Sequence, residues 1–457
     1  MKRFKVDGLW STTREGKNMV PGFLRNGRSG LSLHLLGSFK EGWTPNALGR
    51  YEKLYGVIGQ GLEGMYATLF DCLTESTTVN TSSVRSEKLR CSRAVIGDDL
   101  APEEPLKFDS LEYDFTYLDN WVGKSHVTTE LPLGEKKEAS IRYNQPEPIE
   151  FPVDDFKIQI GFTANFVRSL SEATIREKSQ IAIEPIGEGF AEEASIRHLS
   201  PLQNLLTFAT DAPNEVDRAL LQGGRISYGN FDVPKRFSLY YTPVFRLRGP
   251  KEKLHPVDML FNLEDVLHVG LNIFQKWYDF VRSHGSFVDI YFAHIYSPAK
   301  FISYRFRNVM MAFRLLCTPS LEVPERTKSF LRAIDQAAAA HFDGPERAWL
   351  GQALPIGDEV EMPFRLMRSL QKNGDVMSLL IDDFHEFVTV ICRTLEYVER
   401  RTPEPSGLLF QGGDLYHAIE KVRWLIKLMA LRELGFDDEA LKRLALRNKN
   451  FTFLRSS

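Results

Sequence analysis

Met259 to His284 reads MLFNLEDVLHVGLNIFQKWYDFVRSH, and its periodicity decides the fold class. Its apolar residues recur at three- and four-residue spacing, the mark of an amphipathic helix. Upstream of about Pro256 the period is two instead. In SLEYDFTYL, Leu111, Tyr113, Phe115 and Tyr117 point one way and Glu112, Asp114 and Thr116 the other. LSLHLL places Leu31, Leu33 and Leu35 on one face, and FKIQIGF does the same with Phe156, Ile158, Ile160 and Phe162. Further short runs lie at Tyr66–Leu73, Ser179–Ile186 and Arg236–Phe245, separated by Gly, Pro, Asn and Asp clusters. Strands this dense, with almost no helix between them, predict an antiparallel sandwich or barrel. One helix is expected among them, SPLQNLLTFA, capped by Ser200 with Leu202, Leu205, Leu206 and Phe208 on a stripe.

Beyond Met259 every apolar run keeps helical spacing: FISYRFRNVMMAFRLLC, ERTKSFLRAIDQAAAAHF, MPFRLMRSLQ, VMSLLIDDFHEFVTVICRTLEYVERR and DLYHAIEKVRWLIKLMALRELGF. The last of these stops at Gly435, the left-handed position after a helix. The expected fold class is therefore α+β, a β-rich antiparallel N-terminal domain over residues 1–298 and an all-α bundle over 299–457.

Composition narrows the function classes. Hydrophobic residues make up 43% of the 457, enough for a sizeable core. The net charge of −3 gives no global nucleic-acid or membrane signal, so an anion site must be a local patch. The four cysteines, Cys72, Cys91, Cys317 and Cys392, form no CxxC pair, which fits a reducing compartment. No apolar run reaches the roughly 20 residues of a membrane helix, and MKRFKVDGLW lacks the apolar segment of a signal peptide. The expectation is a cytoplasmic chain, in which the sequon at Asn80 carries no glycan.

Familiar motifs lead nowhere. Gly59 to Gly64 spells GxGxxG, but a strand follows it where a dinucleotide site needs a helix, so it reads as a hairpin turn. Gly123-Lys124-Ser125 resembles the end of a P-loop, yet Leu118 stands where the first glycine belongs. The ten histidines, His34, His268 and His341 among them, show no metal-ligand spacing. Asp382, Asp383 and Glu386 read as a solvated helix face, and no GxSxG is present. Neither a metal nor a cofactor is expected.

Two blocks resemble a known family. Gly8-Leu9-Trp10, Val20-Pro21-Gly22, Leu33-His34-Leu35-Leu36-Gly37-Ser38 and Ala67-Thr68-Leu69-Phe70-Asp71-Cys72 resemble the ApeA N-terminal domain. Thr394 to Arg400, and Gly413-Asp414-Leu415-Tyr416 running to Phe436, are similar to the ApeA-type HEPN domain. The resemblance implies anti-phage defence of the abortive-infection type, with a HEPN domain that dimerises and cleaves RNA without a metal. Its partners would be RNA, tRNA included, a second copy of the chain, and a phage-derived trigger on the N-terminal domain. Such cleavage needs only a histidine to move the proton of the 2′-OH and an arginine to hold the phosphate charge.

The family motif runs Arg, a polar residue, a short spacer, then His. Here the matching positions are Leu395, Glu396 and Arg400, and no histidine lies between His385 and His417. Three readings stay open. The site is degenerate and binds RNA or a protein partner; or Arg393, Glu396, Arg400 and His417 substitute as the catalytic set, with Arg401 beside them; or Arg393, Arg400 and Arg401 are last-turn cations favoured by the helix dipole. A second basic stretch, YRFRNVMMAFR, offers Arg305, Arg307 and Asn308 for RNA binding, unless its arginines are merely the wet side of a helix. The competing class is a non-catalytic scaffold that assembles through the bundle.

Overall fold

A computed structural model of the chain describes residues 3–27, 29–39, 49–59, 65–79, 85–97, 107–130, 139–187, 190–191, 194–228, 231–242, 254–317, 358–400 and 407–456. It divides into two compact units. The first comprises residues 1–256 with 262–275, and the second 257–261 with 276–457.

The first unit is antiparallel throughout. Its main sheet holds thirteen strands, and part of that sheet closes on itself. The closed part contains β1 (Phe4–Ser11), β2 (Val20–Gly27), β3 (Gly30–Leu35), β4 (Arg50–Ile58), β5 (Met65–Val79) and β6 (Arg85–Cys91). The ring runs β5-β4-β1-β2-β3-β6 and returns to β5. Closure removes the edges that would otherwise template aggregation. β5 then hands over to β7 (Arg93–Gly97), pairing 66–70 with β7 and 73–79 with β6. At that handover Asp71 takes a positive φ of 49° and accepts hydrogen bonds from Ser92 Oγ and Arg93. From β7 the sheet continues through β17 (Phe231–Tyr241), β16 (Val216–Tyr228), β9 (Ser110–Phe115), β14 (Ala173–Pro185), β13 (Phe156–Arg168) and β12 (Ile149–Val153).

The barrel core is Trp10, Leu24, Leu31, Leu33, Leu35, Leu54, Ile58, Ala67, Leu69 and Leu89, with the thiols of Cys72 and Cys91 3.1 Å apart among them. Each large apolar side chain sealed here contributes about 1.5–3 kcal/mol. The motif blocks become legible at this point. A Cβ on Gly56 would strike the Trp10 indole, and one on Gly22 would fall onto the His34 carbonyl oxygen and lie 3.1 Å from Leu35 Cα. Ser38 donates to the buried carboxylate of Glu87 at 2.5 Å. Gly22→Ala is therefore expected to push β2 off β3, costing about 3 kcal/mol and about 6–12 °C of melting temperature. Gly285→Ala is the control, because open space surrounds that position. Equal melting temperatures by calorimetry would refute the close-approach account.

The GxGxxG stretch sits between β4 and β5, where Ile58 pairs with Met65, so it is a hairpin; residues 60–64 lie outside the described residues, as do Asn80 and His341. Gly123 ends the short α1 (Leu118–Val122) and Ser125 faces Glu177, with β10 (Val127–Glu130) next, so this is no phosphate loop. The helix expected from Ser200 begins earlier. α2 spans Ala194–Thr210, with Ser200 and Pro201 inside it and the Leu202, Leu205, Leu206 and Phe208 stripe buried as expected. Ser200 is therefore not the cap.

Helices follow from α3 (Leu263–Val269), which Asn262 and Asp265 start with a reciprocal capping box. Next come α4 (Ile273–Ser283), α5 (Gly285–Tyr296), α6 (Ile302–Cys317), α7 (Asp358–Lys372), α8 (Gly374–Met377), α9 (Phe384–Arg400), α10 (Gly412–Glu433), α11 (Asp438–Arg447) and α12 (Lys449–Ser456). In the second unit α6 is central, packing against α5, α9 and α10. It buries Phe306, Val309, Met310, Phe313 and Leu316 along one stripe. α10 ends as expected: Gly435 has φ 98°, its N–H donates to Arg432 and that of Phe436 to Leu431. It is not the last helix, however. Asp437 caps α11 by accepting from the Ala440 N–H, and α12 follows. The Glu325–Phe342 run lies outside the described residues.

Candidate functional site

The helical unit gathers its charged groups where three helices meet. His294, in the last turn of α5, is nine-tenths buried. Its Nδ1 meets no hydrogen-bond partner among the described residues. α6 brings Arg305, whose Nε donates to the Ala299 carbonyl at 2.6 Å and so ties the start of that helix to the loop before it. α10 brings Glu420 and Arg423, three residues apart and hence on one face, with Nη1 2.8 and 3.0 Å from the two carboxylate oxygens. Both are largely shielded, Arg423 at 18% and Glu420 at 14% side-chain exposure, so the pair is stronger than a surface one.

This surrounding sets the state of the imidazole. Burial, then the Arg423 and Arg305 charges, hold His294 down to about 4, against an opposing pull from Glu420. The ring is neutral at physiological pH. It can accept or donate one hydrogen bond, but it is a weak base there. The guanidiniums supply positive charge in a shielded place, where charge is worth more.

The structure scatters the residues named from the sequence. Arg305 belongs to the cluster just described. His417 is half-buried on α10, one turn before Glu420 and edge-on to Tyr416. Arg393 and Glu396 are exposed on α9. The Arg393 guanidinium lies beside Gly407, and Glu396 helps burial push the Cys392 thiol up to about 12. Thr394, buried beneath them, accepts the Phe410 N–H at 3.1 Å, pinning the chain after the loop back onto α9. Arg400 is the final residue of α9, and Arg401 lies outside the described residues. Arg307 is exposed and sits 5.1 Å over the Tyr304 ring, while Asn308 is half-buried. Asp383 is a helix cap, accepting the N–H groups of His385 and Glu386. No group of metal-binding side chains exists among the described residues.

Sequence reasoning missed His294, Glu420 and Arg423. Only the Glu-x-x-Arg spacing on α10 was visible locally. It also missed a smaller concavity of about 200 Å³ lined by Arg368, Lys372, Asn373 and Arg432, where Arg432 donates to the Lys372 carbonyl and pairs with Asp438.

Barrel, extended antiparallel sheet and helical unit define an α+β protein. Residues 5–277 match the family model described as ApeA N-terminal domain 1, and no curated protein or solved structure matches the chain. The chain belongs to the ApeA N-terminal domain 1 family, and the match ends inside α4, where the first compact unit also ends. This makes it an ApeA-type protein, the class associated above with anti-phage defence.

Proposed function

We propose that this is an anti-phage defence protein whose helical unit is a HEPN-like module acting on RNA, either as a metal-independent endoribonuclease or as a non-cleaving RNA-binding relative. Family membership supports the defence role. One observation carries the RNA reading: Arg305, Arg423 and His294, the residue types that metal-free RNA chemistry uses, meet on three helices of the second unit. The same observation favours binding over cleavage. A proton shuttle near neutral pH needs a base that titrates there, and His294 sits near 4. Exposed Arg393 and Arg307 would then carry strand contacts, and a second copy would complete the surface. The β unit would sense the trigger.

The test is an RNA assay with EDTA present, using tRNA and a labelled single strand, on the wild type and on Arg305→Ala, Arg307→Ala, Arg393→Ala and His417→Ala. The expected result is a retarded strand with little or no cleavage, and each arginine variant weakening affinity about three- to tenfold. Cleavage abolished by His417→Ala would establish the endonuclease form with His417 as the base. Neither binding nor cleavage would leave the scaffold reading, in which the module only assembles.

A further inference from the structure

The outer wall of the barrel carries a second site that the RNA reading does not use. Inward-facing residues of β1, β2, β3 and β6 are Val6, Leu24, Leu33 and Leu89. Their outward neighbours form two cross-strand rows. One row is Lys5, Arg25, Ser32 and Arg90; the next is Asp7, Phe23, His34 and Lys88. Of these, Lys5, Arg25, Ser32, His34 and Lys88 line, together with Arg3, a concavity of about 540 Å³, within the range of small-ligand pockets.

Cations predominate here: Asp7 is the one carboxylate in the two rows, against Lys5, Arg25, Arg90 and Lys88. Glu75 pairs with Lys88 at 2.7 Å and reaches Arg90 at 3.6 Å. No carboxylate among the described residues pairs with Arg3, Lys5 or Arg25. Lys5 and Arg25 stand directly opposite each other on neighbouring strands, and like charges so placed destabilise a sheet. A chain with net charge −3 gains nothing for its fold from this repulsion; an anion seated between the cations would relieve it.

The aromatic geometry says which part of a ligand is read. His34 stacks on Phe23 at 4.6 Å and 8°, and the Lys5 ammonium lies 4.1 Å over the same ring. β2 lies between β1 and β3, so the two approach Phe23 from opposite sides. No face of that ring is left to stack a base. What remains are cations, the Ser32 hydroxyl on the floor, nine-tenths buried, and a ring nitrogen of His34 3.4 Å from it. Such a set recognises phosphoryl oxygens and ignores base identity.

We propose that this wall of the barrel binds the phosphoryl groups of a nucleotide or of a nucleic-acid strand, with Lys5 and Arg25 as the principal contacts. The site belongs to the N-terminal unit and stands whether or not the helical unit binds RNA. The free nucleotide and the strand share their phosphate chemistry, and the experiment separates them.

The full chain is titrated at low salt with sodium tripolyphosphate and with ATP by calorimetry, and with a labelled single-stranded 12-mer by anisotropy. The variants are Lys5→Glu/Arg25→Glu on the barrel and Arg307→Ala on the helical unit. Both barrel positions are exposed, so the melting temperature serves as the folding control. The expected result is micromolar binding of at least one probe, weakened tenfold or more by the barrel pair, with Arg307→Ala removing at most the helical unit's own share of oligonucleotide binding. Its logarithmic salt slope should fall by about two with the two lost contacts. Tripolyphosphate and ATP binding alike identifies a free-nucleotide site; oligonucleotide binding alone identifies a strand site. Binding indifferent to the barrel pair, or no binding of any probe, overturns the proposal. Oligonucleotide binding lost only in Arg307→Ala also overturns it, while supporting the RNA reading of the helical unit.

Discussion

Replacing Lys178 and Arg218 together by leucine is expected to cost about 3–5 kcal/mol of folding stability, more than replacing the carboxylate they both contact. Asp114 lies in mid-strand on β9 and is 1% exposed. Lys178 Nζ is 2.5 Å from Oδ2, and Arg218, its direct cross-strand partner on β16, places Nε at 2.7 Å from the same oxygen. The two cations are nearly half exposed, at 46% and 48%. Their situations are thus unequal. Asp114→Asn releases two cations that can turn into water, so its cost is that of lost hydrogen bonds, about 1–2 kcal/mol. Removing both cations strands a charge that has nowhere to go. Denaturant titrations at pH 7 decide the matter. Equal losses for Asp114→Asn and for the leucine pair would show that the carboxylate is not held by these two partners.

Asp114 also marks how far the sequence could be read. The alternation in SLEYDFTYL places it correctly opposite Tyr113 and Phe115, and the same period places the buried faces of β3 and β13. Period two reports which residues share a face; it says nothing of what covers that face. Here side chains from β14 and β16 cover it, and their approach is set by pairings about 60 and 100 residues away in the chain. Barrel closure was hidden for the same reason. It depends on β5 serving β7 with one half and β6 with the other, through a positive φ at Asp71 that no local pattern announces. Where the physics is local the reading was sound: the period change after Pro256, the Gly435 stop, the hairpin at GxGxxG. Where short signals compete it slipped. Ser200-Pro201 mimics a helix start inside α2.

The candidate site was less legible than the fold. Of the eight residues named from the sequence, Arg305 alone joins the buried cluster, and it was named for RNA binding, with the wet side of α6 as the alternative. The cluster draws on α5, α6 and α10, so its members lie up to about 130 residues apart, and nothing in any one helix marks them. Arg393 and Glu396, read as members of one motif, do share a helix face, but it is an exposed one. The motif resemblance points to one helix of this unit and the buried cluster lies between three others of its elements, because motif spacing reports one helix and a cluster built between helices depends on packing.

Acidification should destabilise both units between pH 6.5 and 5, well before carboxylates dominate, and two histidines account for it. His294 is held to about 4 by burial, Arg423 and Arg305; His198 on α2 is likewise held to about 4, by burial and Arg197 against Asp155, with its ring 4.3 Å from that of Phe156. In the unfolded chain each returns to about 6.5. The unfolded state therefore binds more protons across that interval, so stability is present above pH 6.5 and drains away as pH falls toward 4. The limit is about 3 kcal/mol per histidine, less where solvent screens the ring. His198→Gln should reduce the pH dependence of the β unit, leaving the share of His34, which burial and Lys88 also hold down, and His294→Gln should flatten that of the helical unit, as read by denaturant titrations at pH 7.0, 6.0 and 5.0. Flat stability across those three pH values in the wild type would contradict the burial of both rings. The same measurement bears on catalysis. If RNA is cleaved with an acid limb near pH 6.5 while His294 still holds its folding slope, the base is another group, and His417, half-buried on the same helix as Glu420, becomes the residue to examine.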